Sequence, residues 1–134
     1  MAITYVKIKI INPADEARHA ELQCMVDSGA IYSVVPREVL KELGIQQHSK
    51  KSFTLANGEV VEREMGDAVF EYGGEKGASP VIFGEEGDSV LLGAVTLEAL
   101  GLMLDPLRRE IRPLPLMLWR HEESRPLKPK VAVR

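Results

Sequence analysis

Met25-Val26-Asp27-Ser28-Gly29-Ala30 is the stretch on which the reading of this chain turns. Two apolar residues carry a strand into a core, and a carboxylate follows at the strand's mouth. Ser28 offers a hydroxyl that can tie the loop to a neighbouring backbone. Gly29 lets the main chain come close, so that its N–H can reach the Asp27 carboxylate with no side chain between them.

Outward from this loop, the chain reads as short strands separated by turns. Residues 3–11 alternate, with Val6, Ile8 and Ile10 on one face and Tyr5, Lys7 and Lys9 on the other, which predicts a strand. Asn12-Pro13-Ala14-Asp15-Glu16 reads as a turn, and His19 to Val26 as the second strand, leading into Asp27. Pro36 to Gly44 carries the punctuation of a short helix, with Pro at the start and Gly past the end. Residues 51–72 predict a hairpin tipped by Asn57-Gly58, because both residues tolerate positive φ. Gly73-Gly74 and Gly84 to Gly87 read as turns around the strand Pro80-Val81-Ile82-Phe83. Ser89 to Gly93 leads into a second short helix, Thr96 to Leu100, closed by Gly101. This pattern predicts a mostly β domain with two short helices.

The order strand, glycine turn, helix, Leu-Gly and apolar residue occurs twice, ending in Leu43-Gly44-Ile45 and in Leu100-Gly101-Leu102, and suggests two related halves. Only the first copy has an acid in its turn. Residues 106–129 hold Pro106, Pro113, Pro115, Pro126 and Pro129, so they read as edge, extended or loose segments. The expected division is a domain over 1–118 and a charged, proline-containing tail over 119–134. Trp119, beside Leu116-Met117-Leu118, is expected to pack on the core or a second subunit, with an exposed patch for a partner as the other reading. Pro126-Leu127-Lys128-Pro129 formally matches a PxxP ligand, a weak signal when alone.

In its motifs the chain resembles the retroviral-type aspartic proteases (retropepsins) and their short, single-domain prokaryotic relatives. Their signature is two hydrophobic residues followed by Asp-Ser/Thr-Gly-Ala, here Met25 to Ala30. Ser33-Val34-Val35-Pro36 follows where the family has a Ser/Thr and apolar positions. Ala56-Asn57-Gly58 stands where the family has its substrate-covering flap, and Val90-Leu91-Leu92-Gly93 matches its second glycine loop. The likeness runs over roughly residues 3–105. It implies a retropepsin-like half-barrel that works as a homodimer on peptide or protein substrates. It further implies Asp27 as the catalytic acid, Ser28, Gly29 and Ala30 as loop support, Leu92 and Gly93 as the second loop, and the flap over substrate. The chain departs from the pattern after both loops. Ala94 follows Gly93 where the retroviral enzymes soon place an Arg, and Ile31 and Tyr32 follow Ala30 where they have acids, so the ion pairs that brace their dimers are missing.

Peptide hydrolysis in this class takes two carboxyls sharing a water, one ionised and one protonated. Two carboxylates about 3 Å apart repel by roughly 5.5 kcal/mol at an effective dielectric of about 20, so the pair holds one proton over a wide acidic range. No second Asp-Ser/Thr-Gly occurs in the chain; Asp67, Asp88 and Asp105 read as surface or turn residues. The partner acid is therefore expected from a second copy across a two-fold axis, with Ser28 buried there. A retropepsin-fold binding or assembly module with little turnover is the other reading, and a tail over 121–134 lying in the cleft to restrain activity is a further one.

Composition excludes little else. At 134 residues, 45% hydrophobic and with a net charge of −3, the chain has the means for one core and no strong field for nucleic acid or an anionic membrane. No apolar run of about 18 residues predicts a membrane span. The N-terminal residues do not read as a signal peptide. The single cysteine, Cys24, reads as a small core residue, and a reducing, cytoplasmic setting is the default. His19, His48 and His121 lack metal-ligand spacing, and no cofactor motif occurs, so neither metal nor cofactor is expected.

Overall fold

β1 (Tyr5–Asn12) and β2 (Asp15–Val26) form an antiparallel hairpin in the computed structural model, which describes residues 3–120. Ile8 and Ile10 point into the core, as the alternation predicts, while Tyr5 and Lys7 are exposed. The turn is tighter than expected: Asp15 already pairs with Asn12, leaving Pro13 and Ala14 between the strands. Asn12 makes this possible. Its Oδ1 accepts the Ala14 N–H at 2.7 Å, and its Nδ2 donates at 2.7 Å to Leu43 O.

The chain continues through β3 (Ser33–Pro36), α1 (Arg37–Glu42), β4 (Ser49–Thr54), β5 (Val60–Tyr72), β6 (Glu75–Gly84), β7 (Leu91–Leu92) and α2 (Ala94–Ala99). The main sheet runs β1-β2-β7-β3-β6-β5-β4 and closes on itself because β1 also pairs with β5. Residues from every wall of this closed sheet fill the core. Ile8, Ile10, Val35, Phe70, Val81 and Leu92 have essentially no exposed surface, each burial contributing about 1.5–3 kcal/mol against an exposed side chain.

The two helices repeat one device. Each is six residues long, has a leucine at its C-cap, and ends on a glycine at positive φ: Gly44 at 77° and Gly101 at 69°. Only glycine holds that conformation without strain. The repeat read in the sequence is therefore structural.

The hairpin of β4 and β5 pairs Thr54 with Val60, as expected of residues 51–72, but its tip differs. Leu55 N–H donates to Glu59 O at 2.7 Å, Gly58 N–H to Leu55 O at 2.9 Å, and Gly58 alone has positive φ, at 88°. This is a three-residue loop, Ala56-Asn57-Gly58, with Asn57 Oδ1 accepting the Glu59 N–H.

β8 (Leu102–Asp105) and β9 (Glu110–Pro113) form a separate two-stranded sheet, in which β9 is one of the edge segments that the prolines allow. Pro113 stands at its last position and Pro106 in its turn, so neither prevents the pairing. Asp105 Oδ1 sets the turn by accepting the N–H groups of Leu107 and Arg108. Leu114 N–H then reaches Gly101 O at 2.7 Å. Trp119 does not pack on the core: it is 91% exposed, as are most of Leu116, Met117 and Leu118. The PxxP match and the suggested cleft-blocking tail lie outside the described residues.

Candidate active site

Asp27 sits where β2 leaves the sheet, held by main-chain contacts on both sides. Its N–H donates to Leu92 O at 3.0 Å, and two residues back along the strand Met25 N–H donates to Val90 O at 2.9 Å. These bonds belong to the parallel pairing of β2 with β7, in which Met25 faces Leu91 and Val26 faces Leu92. Asp27 Oδ1 accepts the Gly29 N–H at 2.9 Å, and Ala30 N–H returns to Asp27 O at 3.1 Å. The loop thus curls around its own acid, as the glycine predicts. A Cβ at Gly29 would stand 3.2 Å from that same carboxylate oxygen.

β7 lies between β2 and β3, so the loop from Asp27 to Tyr32 must cross its end. Gly93 is the residue beneath this crossing. Ala94 N–H donates to Ala30 O at 2.8 Å and Val95 N–H to Ile31 O at 3.0 Å, sewing the acid's loop to the start of α2. Gly93 N–H donates to the Ser33 hydroxyl at 2.9 Å. Ser33 Oγ lies 2.5 Å from Thr96 Oγ1, which lies 2.9 Å from Ser79 Oγ, joining β3, α2 and β6 through three buried hydroxyls. Ser33 was visible in the sequence as a hydroxyl following the acid. Thr96 and Ser79 carry no local signal and are brought in by the fold.

A groove of about 630 Å³ opens beside the loop. Gly29, Ala30, Ile31 and Tyr32 line one side, Phe53, Thr54, Leu55 and Val61 the hairpin side, and Val34, Ile82 and Leu91 also contribute. Tyr32 and Phe53 meet edge to face, with centroids 6.5 Å apart and planes at 87°, in the geometry aromatic pairs favour. The tip residues Ala56, Asn57 and Gly58 stand exposed, beyond the groove's lining. Asp27 is half-buried, and Ser28 is exposed.

Asp88 is more than the surface or turn residue the sequence suggested. It accepts two hydrogen bonds from Arg63, from Nε at 2.7 Å and from Nη2 at 3.0 Å, and one from the Glu85 N–H at 2.8 Å. The Arg63 guanidinium holds its carboxyl below the usual carboxylate range, against the opposing pull of burial. Asp67 and Asp105 do match the expectation, as an exposed strand residue and a turn residue.

Cys24 is fully buried, and burial pushes its thiol up to about 11. Among the described residues no group of three or more His, Cys, Asp or Glu is arranged to hold a metal, and no helix is long and apolar enough to cross a membrane.

A family model described as aspartyl protease matches residues 15–95, a span that contains both loops and the hairpin. Among solved structures, the solution structure of simian foamy virus (mac) protease is similar at a TM-score of 0.47 and 17% identity, covering 69% of this chain and 92% of that one. No curated protein matches the chain.

Proposed function

The chain belongs to the retropepsin-like aspartyl protease family, and from that premise we propose that it is an endopeptidase whose site is completed by a second copy. Asp27 of each subunit supplies one carboxyl. The ionised member takes a proton from a water lying between them, the hydroxide adds to the peptide carbonyl, and the protonated member donates to the developing oxyanion. Collapse of the tetrahedral intermediate breaks the C–N bond, and a proton passes to the departing amine.

The observation that supports this reading best is the holding of Asp27. Gly29 N–H fixes Oδ1 from within the loop, while Leu92 O fixes the backbone from β7. An acid so held is oriented before substrate arrives, and that is where a positioned group gains its effect. No second Asp-Ser/Thr-Gly exists in the chain to supply the other carboxyl. In this reading Ser28, Gly29 and Ala30 support the loop, Leu92 and Gly93 brace it, and the hairpin tip Ala56-Asn57-Gly58 closes over an extended peptide bound as an added strand. The protease unit spans 1–118, followed by the tail.

The test is cleavage of an unbiased peptide library by the purified protein across acid to neutral pH, with and without pepstatin. Pepstatin-sensitive cleavage with an acid optimum, abolished in Asp27→Asn while the dimer persists, is the expected result. Cleavage that survives in Asp27→Asn rejects the role of this residue. A folded dimer with no cleavage at all favours the binding module instead.

A further inference from the structure

The hairpin that would cover substrate is not free at its base. Phe53 on β4 meets Tyr32, which directly follows the acid's loop. Arg63 on β5 grips Asp88 through two hydrogen bonds, and Asp88 lies in the segment joining β6 to β7. The next residue of β5, Glu64, pairs with Arg37, which also reaches Glu85 at 3.4 Å in that same segment. β5 therefore holds the segment directly through Arg63 and, by way of Arg37 on α1, indirectly through Glu64.

That segment in turn holds the acid. Val90 O, two residues beyond Asp88, accepts the Met25 N–H, and Leu92 O accepts the Asp27 N–H. A continuous path therefore runs from Arg63 to Asp88, along the backbone to Val90 and Leu92, and across two hydrogen bonds to the strand that ends in Asp27. Arg63 and Asp88 also line the groove beside that acid. Their side chains are only 17% and 25% exposed, so water screens the pair less than an ordinary surface ion pair.

We propose that Arg63 and Asp88 are positioning residues: their forked pair fixes the descending arm of the covering hairpin to the segment that braces Asp27, and so sets the closed shape of the groove. The proposal rests on the endopeptidase reading for its kinetic consequences but not for its structural one. A planar guanidinium making two parallel bonds defines an orientation, which a lysine ammonium does not. Arg63→Lys keeps the charge and loses that orientation.

The test uses the full chain with Arg63→Lys, Asp88→Asn and the exchanged pair Arg63→Asp with Asp88→Arg. Hydrogen exchange is followed separately over residues 53–61 and over the β1–β2 hairpin. Faster exchange confined to 53–61 in both single variants is the expected result, with at least partial return in the exchanged pair. On a cleaved peptide, KM rises about tenfold while kcat changes less, as when binding geometry rather than chemistry is lost. Unchanged exchange over 53–61 overturns the proposal. Exchange raised equally in β1–β2 also overturns it, since the pair would then serve stability alone. If the wild-type chain cleaves nothing, the endopeptidase reading fails while the exchange comparison still decides this one.

Discussion

Gly93 leaves no room for a side chain against Tyr32: a Cβ there would stand 2.6 Å from the Tyr32 carbonyl carbon and 2.7 Å from its oxygen. Both atoms are backbone and cannot turn aside, and Ala30 O, 3.0 Å away, closes the remaining space. Gly93→Ala must therefore lift the loop after Asp27 off the start of α2, straining the bonds from Ala94 to Ala30 and from Val95 to Ile31. A cost of about 1–3 kcal/mol is expected from the overpacking. It reads out as a lower Tm together with a loss of peptidase turnover, because the displaced loop carries the acid. A variant with wild-type Tm and turnover contradicts the packing described.

The Ser33 hydroxyl does two things at once, accepting the Gly93 N–H and pairing with Thr96. Ser33→Ala leaves a buried donor without a partner, at a cost of about 1–3 kcal/mol. Thr96→Val removes the shared partner of Ser33 and Ser79. Since both changes damage one network, the double variant is expected to lose less than the sum, with a coupling of about 0.5–3 kcal/mol. Urea midpoints of the four proteins in the cycle measure it, and strict additivity denies the network.

What the sequence disclosed and what it withheld follow from the range of the interactions. The acid's loop, the β4–β5 hairpin (though not the three-residue form of its tip) and the doubled helix ending in Leu-Gly are set by neighbouring residues, so spacing and turn chemistry reveal them. Asp27 and Gly29 are two positions apart, and their bond could be anticipated. Arg63 and Asp88 are 25 positions apart in the chain, and the one local bond Asp88 makes, from the Glu85 N–H, is what a turn acid makes, so Asp88 read as one more turn acid. Pro113 and Pro106 left edge, extended and loose readings open, and the β8–β9 pairing is an edge one, because proline's cost depends on whether its position must donate. Trp119 looked like core from its apolar neighbours, yet those neighbours are themselves exposed.

The Arg63–Asp88 pair also makes a pH-dependent contribution. Because Arg63 lowers the carboxyl's pKa in the folded chain, the stabilisation is complete above the ordinary carboxylate range. It disappears as pH falls through the lowered value. Asp88→Asn should therefore be less stable than wild type at neutral pH, and the gap should narrow on acidification until the two unfolding curves coincide. Denaturant midpoints of both proteins across that range test the sign. A gap that widens in acid contradicts it.

Cys24 gives a chemical probe of core opening. It is the chain's only cysteine, fully buried, and its thiol is pushed up to about 11 by that burial. Thiolate is the reactive form, so a native sample at mildly alkaline pH should resist alkylation and react stoichiometrically once denatured. The native rate then reports how often the β1–β2 region opens. Rapid labelling of the folded protein means that the strand bearing Cys24 is not packed as described.

The requirement for one acid from each subunit can be tested without any structure of a dimer. Wild-type chain and Asp27→Asn chain are mixed, allowed to exchange subunits, and assayed at constant total concentration. If each active site needs two Asp27 carboxyls, mixed dimers are dead and activity follows the square of the wild-type fraction. An equal mixture then retains about a quarter of the starting activity, since random pairing around a two-fold axis makes only that share of intact pairs. If one subunit carried the whole chemistry, activity would fall in simple proportion, to about half. Subunit exchange must be confirmed by a label on the variant, because unmixed dimers also give the proportional result. A proportional decline with exchange complete leaves Asp27 without its symmetric partner and removes the basis for a shared water.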